Sequence, residues 1–392
     1  MDSGKIQVRK CPIQVVFCRD SVGCRDELSV RGTTVTPSLL PPGKISSDVF
    51  DRIIFRGLGA PSPNTIVPPR HGVDVGIVRL DEHRVMALTT DPIFVVPDYG
   101  WERAAWFAIH ILVSDAATSG LRPTYMTLDL NLPRSLTDSD LETLWQTIHR
   151  ECTLLGITVV AGHTGRYDGC AFPMIGGATV MAIGPDDRWV TPTMARVGDR
   201  VILTKGPAIE ATGLFAATFP RRLAARYGVE RAKQAEDLFY QMSVVKDAEI
   251  AVSVGVRDAG VTAMHDATEC GVWGGLVEVA QASNVGLRID RDAIPIPPPV
   301  RLVCEEFGID PFSSISEGTL IATVGPHQAN AVVNALAEAG ISSALIGEVV
   351  PVEQGMIYTA QGREHALTHP RVDPFWTAFG RAIEEEQGGT QT

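Results

Sequence analysis

From Ser46 onward the apolar positions fall into regular patterns. In SSDVFDRIIFRGLG, Val49, Ile53, Ile54 and Leu58 recur at helical spacing behind a pair of serines and ahead of a glycine, which predicts a capped amphipathic helix. Two alternating runs follow, VGIVRL and RVMALTTD, separated by DEH. They predict a hairpin whose second strand carries Thr89, Thr90 and Asp91 to its end. In WERAAWFAIHILVSDAATSG the residues Ala104, Ala108, Ile111, Leu112 and Ala116 form one apolar face, and Gly120 closes the helix. Strand PTYMTLDLNLP, helix TDSDLETLWQTIHRECTLLG, strand ITVVAGHT and the glycine-rich strand PMIGGATVMAIG complete this half.

A second unit starts at the strand RVILTKG, and the stretch from Ile209 to about Gly255 reads as mostly helical. Strand VTAMHDAT, helix WGGLVEVAQASN, strand GLRID, helix VRLVCEEFG, strand GTLIATV, helix HQANAVVNALAEAG and strand SALIGEVV alternate after it. Such alternation predicts sheets covered by helices on one face. Residues 1–42, with three cysteines and a closing PSLLPPGK, read as a partly disordered appendage. The division expected is therefore 1–42 extension, 43–190 first domain, 191–352 second domain and 353–392 tail, with the acids of the tail at a solvated helix end.

Length agrees with two lobes and a cleft, because 392 residues exceed one core at roughly 100–200 residues per domain. Apolar residues at 45% and charged residues at 20% are globular composition. A net charge of -12 without any basic run excludes nucleic acid as a partner. The apolar stretch from Pro173 to Gly184 is broken by glycines and falls short of the roughly 20 residues that cross a bilayer. MDSGKIQVRKCPIQVVFC lacks the cleavage site of a secretory signal, so a cytoplasmic protein with no membrane partner is expected. The cysteines, Cys11, Cys18, Cys24, Cys152, Cys170, Cys270 and Cys304, contain no CxxC pair and read as reduced thiols.

Four clusters carry candidate chemistry: HGVD with Asp74, TTD with Thr90 and Asp91, SDAATSG with Ser114 and Asp115, and AGHT with Gly162, His163 and Thr164. Acids delivered from separate element ends suit a hard divalent cation, since magnesium takes oxygen ligands and bridges phosphate oxygens. A triphosphate cannot sit beside bare carboxylates without one. Gly162, Gly165, Gly176 and Gly177 would let backbone approach those phosphates and offer amide donors. The plainer reading is that Asp91 and Asp115 cap the elements after them. Lys205, at a strand end before Gly206, could reach a phosphate or remain a solvated surface charge, and Glu210 carries the same pair of readings. His71, His265 and Cys270 read as structural, and Glu317 as a brace for its loop.

The order of these motifs resembles that of the PurM-like superfamily. TTDPIFVVPDYGWERAAWFAIHILVSDAATSGLRPTYMTLDLNLP is similar to the strand, helix and strand shared by HypE, thiamine-monophosphate kinase and aminoimidazole-ribonucleotide synthetase. AGHT stands where those families place Gly-Gly-Asp-Thr or Gly-Gly-Glu-Thr. HDATECGVWGGLVEVAQASNVGLRID, followed by ISEGTLIATV, looks like the HypE segment with Asp-Pro-Thr-Arg-Gly-Gly and later Asn-Glu-Gly. The resemblance spans residues 43–352. It implies an α/β N-terminal domain whose strands form a barrel across a homodimer, an α+β C-terminal domain, and ATP in the cleft between them. It also implies Mg2+, or Mn2+, held by Asp74, Asp91 and Asp115, and catalytic roles for Asp91, Asp115 and His163. Thr90, Ser114, Gly162, Thr164 and Asp266 would join Asp74 at the nucleotide, with Glu317 in a matching motif.

Three departures shape the functional expectation. HGVDVG carries one Asp with a histidine nearby where the family has an acidic doublet. His163 replaces an acid, and imidazole suits manganese, iron or zinc better than magnesium. The last residues, EEEQGGTQT, lack the cysteine on which HypE carries its substrate, so an activity other than that of genuine HypE is expected. The resemblance implies transfer of the γ-phosphoryl group of ATP to an amide or carbonyl-type oxygen of a small-molecule or carrier-bound substrate. One alternative is a small-molecule kinase resembling thiamine-monophosphate kinase; another is a nucleotide-binding or assembly protein without turnover.

Overall fold

A computed structural model describes residues 44–389, so the expected appendage over 1–42 lies outside the described residues. The first sheet has six strands in the order β1-β2-β3-β6-β4-β5. These are β1 (Thr65–Val67), β2 (Gly76–Arg79), β3 (Arg84–Phe94), β4 (Pro123–Pro133), β5 (Thr158–Tyr167) and β6 (Met174–Pro185). The predicted hairpin joins β2 to β3, and the Asp81 carboxylate closes its turn by accepting from the His83 and Arg84 N–H groups at 2.9 Å each. Strand β3 does not end at Asp91, because its pairing with β6 continues through Pro92 to Phe94.

Helices α1 (Trp101–Ala117) and α2 (Asp138–Leu155) cover one face of this sheet. Ala104, Ala108, Leu112, Leu144 and Ile148 pack there on Ile93, Met126, Leu128, Leu130 and Val180. Thr137 caps α2 by accepting from the Asp140 N–H at 3.1 Å, and Gly156, left-handed at φ 73°, stops it. The opening helix is less regular than its pattern suggests. It passes from α (Ser47–Val49) through π (Phe50–Ile54) to 3-10 (Phe55–Gly57), Ser46 makes no side-chain cap, and Ile53 is 57% exposed. Among the described residues nothing buries its apolar face, so there is little to hold an ideal helical geometry.

The second sheet has seven strands in the order β13-β12-β9-β11-β7-β10-β8. They are β7 (Arg200–Thr204), β8 (Val261–Asp266), β9 (Gly286–Asp290), β10 (Leu320–Val324), β11 (Ser343–Val350), β12 (Met356–Ala360) and β13 (Arg363–Ala366). The accompanying helices are α3 (Ile209–Thr218), α4 (Pro220–Tyr227), α5 (Val229–Asp237), α6 (Val245–Ser253), α7 (Gly271–Ser283), α8 (Pro298–Phe307), α9 (Ala329–Glu338) and α10 (Pro374–Gly389). The one-face expectation fails here. Leu276 and Val277 of α7 pack with Leu203, Leu287 and Ile346, while Val332 and Leu336 of α9 and Ala248 of α6 pack with Ile202, Leu320 and Ala322. Strands β8 and β10, buried along their whole length, lie between those layers, so Thr262, His265 and Asp266 of β8 are buried with the apolar residues.

Residues beyond 352 are built into this body: β12 and β13 extend the second sheet, and Phe375, Ala378 and Ala382 of α10 enter a core around Phe215, Phe219 and Phe307. Phe215 and Phe307 stack there at 4.0 Å between ring centroids. Asp373, just before α10, accepts from the Phe375 N–H at 2.9 Å and from the Cys270 N–H at 2.7 Å. It thereby fastens α10 to the loop that follows β8. Among the described residues the cysteines form no disulfide, and no helix is long and apolar enough to cross a membrane.

Burial pushes Asp373 up to about 6 from an ordinary value of 3.8. A carboxyl raised in the folded state contributes its full stability below its unfolded pKa and loses it as pH climbs through the folded one. The loss across that window is roughly 3 kcal/mol, at about 1.4 kcal/mol per pKa unit. Asp373→Asn removes the titration, so urea midpoints should move in the variant's favour relative to wild type between about pH 4 and about pH 7. A difference that stays constant over that range would refute the assignment.

Candidate functional site

Carboxylates from both sheets meet at one place. Asp115, in the last turn of α1, is buried and accepts from the Thr89 hydroxyl at 3.2 Å. Burial holds its pKa well above the carboxylate range, and Asp266, Asp91 and Asp74 push it further. Glu317, 1% exposed in the loop before β10, is raised by burial and then by Asp266 and Glu210. Its Oε1 accepts from the Gly318 N–H at 3.0 Å, and its Oε2 has no hydrogen-bond partner among the described residues. Glu210, at the start of α3, is pushed up to about 8 by burial, although the Glu317 N–H donates to it at 3.0 Å. Asp266 and Glu210 thus raise the cost of ionising their neighbours.

The cation that faces them is His265. Its Nδ1 lies 2.6 Å from Asp74 Oδ2 and 3.7 Å from Asp266 Oδ1, and its Nε2 lies 2.9 Å from Glu278 Oε2. Burial works against a charge on this ring, yet Asp74, Asp266 and Glu278 together hold its pKa well above the histidine range. Asp74 comes from the loop before β2, His265 from β8 and Glu278 from α7, so the ring bridges the two halves of the molecule. Gly72 makes that contact possible. It sits at φ 70°, and a Cβ there would stand 2.9 Å from the Cβ of Glu278. Asp74, His265 and Asp266 each offer a ligand atom, all within 4.8 Å of one another.

The structure brings together Asp74, Asp91, Asp115 and Asp266, but it puts other expected site residues elsewhere. Strand pairing sets Asp91, Ala178, Leu128 and Gly162 in one row and Pro92, Gly177, Asp129 and His163 in the next. Neighbouring rows point to opposite faces of a sheet. His163 therefore lies on the face away from Asp115, beside a cavity of about 410 Å³ lined also by Thr90, Thr127, Asp129, Gly162 and Thr179. There its Nε2 is 2.5 Å from the Tyr167 hydroxyl, and Thr164 is exposed on the edge strand β5. Ser114 is fully buried and accepts from the Val244 N–H at 3.0 Å, which ties α1 to the start of α6. Lys205 is spent on Gly318 O at 2.6 Å, Ser243 O at 2.7 Å and Asp247 at 2.9 Å, so a phosphate would have to displace one of these.

Two residues escaped the sequence reading. Glu278 was visible as a lone acid within the apolar run GGLVEVAQA, a pattern that signals a buried, partnered charge. Asp373 gave no comparable signal.

The N-terminal domain model of the AIR synthase related proteins matches residues 72–191, and the C-terminal domain model matches residues 196–358. Carbamoyl dehydratase HypE of Rhizobium leguminosarum bv. viciae is 29% identical over 278 residues, covering 68% of this chain and 73% of that protein. A putative hydrogenase expression/formation protein of Methanocaldococcus jannaschii is 22% identical over 351 residues, covering 85% of this chain and 96% of its own. Among solved structures, Escherichia coli HypE superposes with a TM-score of 0.62 at 26% identity, over 76% of this chain and 91% of that one. HypE in complex with ATP superposes at 0.60 and 22% identity, over 85% and 97% of the two chains. The chain belongs to the family of AIR synthase related proteins, has their two-domain PurM-like fold, and is an enzyme.

Proposed function

We propose that the chain is an ATP-dependent enzyme that moves the γ-phosphoryl group of ATP onto an amide or carbonyl-type oxygen of its substrate. The observation that carries this reading is the gathering of buried acids at the junction of the two halves, where burial first and then Asp266, Asp91 and Asp74 raise Asp115, and burial first and then Asp266 and Glu210 raise Glu317. Such a set is costly unless a cation neutralises it, and a divalent ion shared with a triphosphate does so. Asp74 and Asp266 offer oxygens within 4.8 Å of each other and of a His265 nitrogen, a donor set that fits such an ion. Asp74, Asp91 and Asp115 would hold it with Asp266 within reach, and the backbone near Asp91 would face the phosphates. When bound, the ion offsets charge on the phosphoryl oxygens.

The relatives support this chemistry. Those named carbamoyl dehydratase act, by that name, on a carbamoyl group, which is an amide. One neighbouring structure holds ATP, and another, of ThiL, holds AMPPCP and TMP. In the transfer, the substrate oxygen forms the new P–O bond, the bond to the β-phosphate bridge breaks and ADP leaves. Glu210, with its pKa at about 8, keeps a proton at neutral pH beside Glu317 and is the group suited to protonate a leaving oxygen. We take 43–190 as the first domain and the chain from 191, with β12, β13 and α10 included, as the second. We also take the helix-free face of the first sheet, where Tyr125 and Thr127 of β4 and Thr90 of β3 point outward, as the surface that pairs with a second copy in a homodimer.

Product analysis after incubation with ATP and Mg2+ or Mn2+ tests the reading. ADP with free phosphate indicates activation followed by loss of the phosphate, and ADP with a phosphorylated product indicates a kinase. Asp91→Asn and Asp115→Asn should each lower ADP formation by about 100-fold or more. Rates equal to wild type would contradict the ligand assignment. Gly72→Ala should cost about 1–3 kcal/mol of stability through strain at positive φ and should abolish most of the nucleotide-dependent rise in melting temperature. An unchanged melting profile would show that the loop does not need its contact with α7.

A further inference from the structure

We propose that His265 is itself a metal ligand, so that this chain holds its ion in a mixed nitrogen and oxygen site that favours manganese, iron or zinc over magnesium. The inference rests on the reading of Asp74 as a metal ligand and extends it to the second domain. Cis ligands on an ion with bonds of about 2.1 Å stand about 3 Å apart. His265 Nδ1 lies 2.6 Å from Asp74 Oδ2 and 3.7 Å from Asp266 Oδ1, which brackets that spacing. The three donor atoms lie within 4.8 Å of one another, so one ion can reach all of them with small side-chain adjustments.

The far side of the ring makes the case specific. Metal-binding histidines donate their second N–H to a carboxylate or carbonyl, which fixes the tautomer and aims the free lone pair at the ion. Glu278 Oε2, 2.9 Å from Nε2, is placed to accept that N–H, and α7 holds Glu278 buried. A proton retained on Nε2 leaves Nδ1 as the ligand atom, on the side where Asp74 and Asp266 lie. The ion would then take the Nδ1 lone pair from beside the Nδ1–Asp74 line, with the Nδ1 proton released to solvent. Because Asp74 belongs to the first half and His265 and Asp266 to the second, binding also locks the two together. Hard oxygen-only sites suit magnesium, and the imidazole shifts preference toward borderline ions. His163, which the sequence offered for this role, lies on the other face of the first sheet.

Electron spin-echo spectroscopy of Mn2+ added alone to the full chain reads the ligand directly, through coupling of the ion to an imidazole 14N. Wild type should show that coupling, His163→Gln should keep it, and His265→Gln should lose it. Glu278→Gln, which leaves the ring in place, should weaken Mn2+ binding by about tenfold to a hundredfold. Mn2+ bound without 14N coupling in wild type would overturn the inference while leaving a carboxylate-held ion intact. Coupling that persists in His265→Gln would also overturn it. If Mn2+ fails to bind even with ATP present, the proposed function falls together with the inference.

Discussion

Repulsion among carboxylates that the fold forces together governs how the rest of this molecule is arranged. Two unit charges 4 Å apart interact by about 4 kcal/mol at the effective dielectric of a protein. Asp115 and Glu317 accordingly hold their protons far above the usual carboxylate range, with burial first and Asp266 next among the causes. Two of the charges nearby are matched by cations. Asp247 has Lys205, and the same lysine holds the carbonyl of Gly318, fixing the loop that presents Glu317. His265 stands between Asp74 and Glu278. Protons on the raised acids and the His265 imidazole therefore offset the charge of the site, and an arriving cation would take over that part.

This arrangement also explains why the two halves form one body. Besides the apolar packing of Tyr99, Trp106 and Phe107 on Phe239, the joint uses two short polar contacts, Ser114 to the start of α6 and Asp74 to His265, and the close approach of Gly72 to Glu278. Each of the last three ends on or next to an acid of the site. Packing of the site and docking of the halves are coupled there, and a side chain at Gly72 would reach the site by pressing on Glu278.

How much of this could be read from the chain depended on whether the determining contact was local. Strand β4 and helix α2 follow their patterns closely, because alternation, a threonine cap and a glycine stop are written in adjacent residues. The convergence of Asp74, Asp91, Asp115 and Asp266 was legible through motif order. The face on which His163 lies was not, since it depends on an irregularity in the pairing of β4 with β5 between Met126 and Thr127 that shifts the register of everything beyond it. The engagement of Lys205 was hidden for a similar reason, its partners being carbonyls at Ser243 and Gly318. Coverage of the second sheet on both faces was foreshadowed only by the mostly apolar run LIATV of β10.

The central claim is that acids from separate elements share one cation with the phosphates of a nucleotide. A crystal of the protein grown with Mn2+ and a non-hydrolysable ATP analogue, measured at the manganese absorption edge, examines it directly. The account predicts an anomalous peak in bonding contact with carboxylate oxygens of Asp74, Asp91 or Asp115 and with phosphate oxygens of the analogue. A peak in the cavity beside His163, or a nucleotide seated away from these acids, would contradict it.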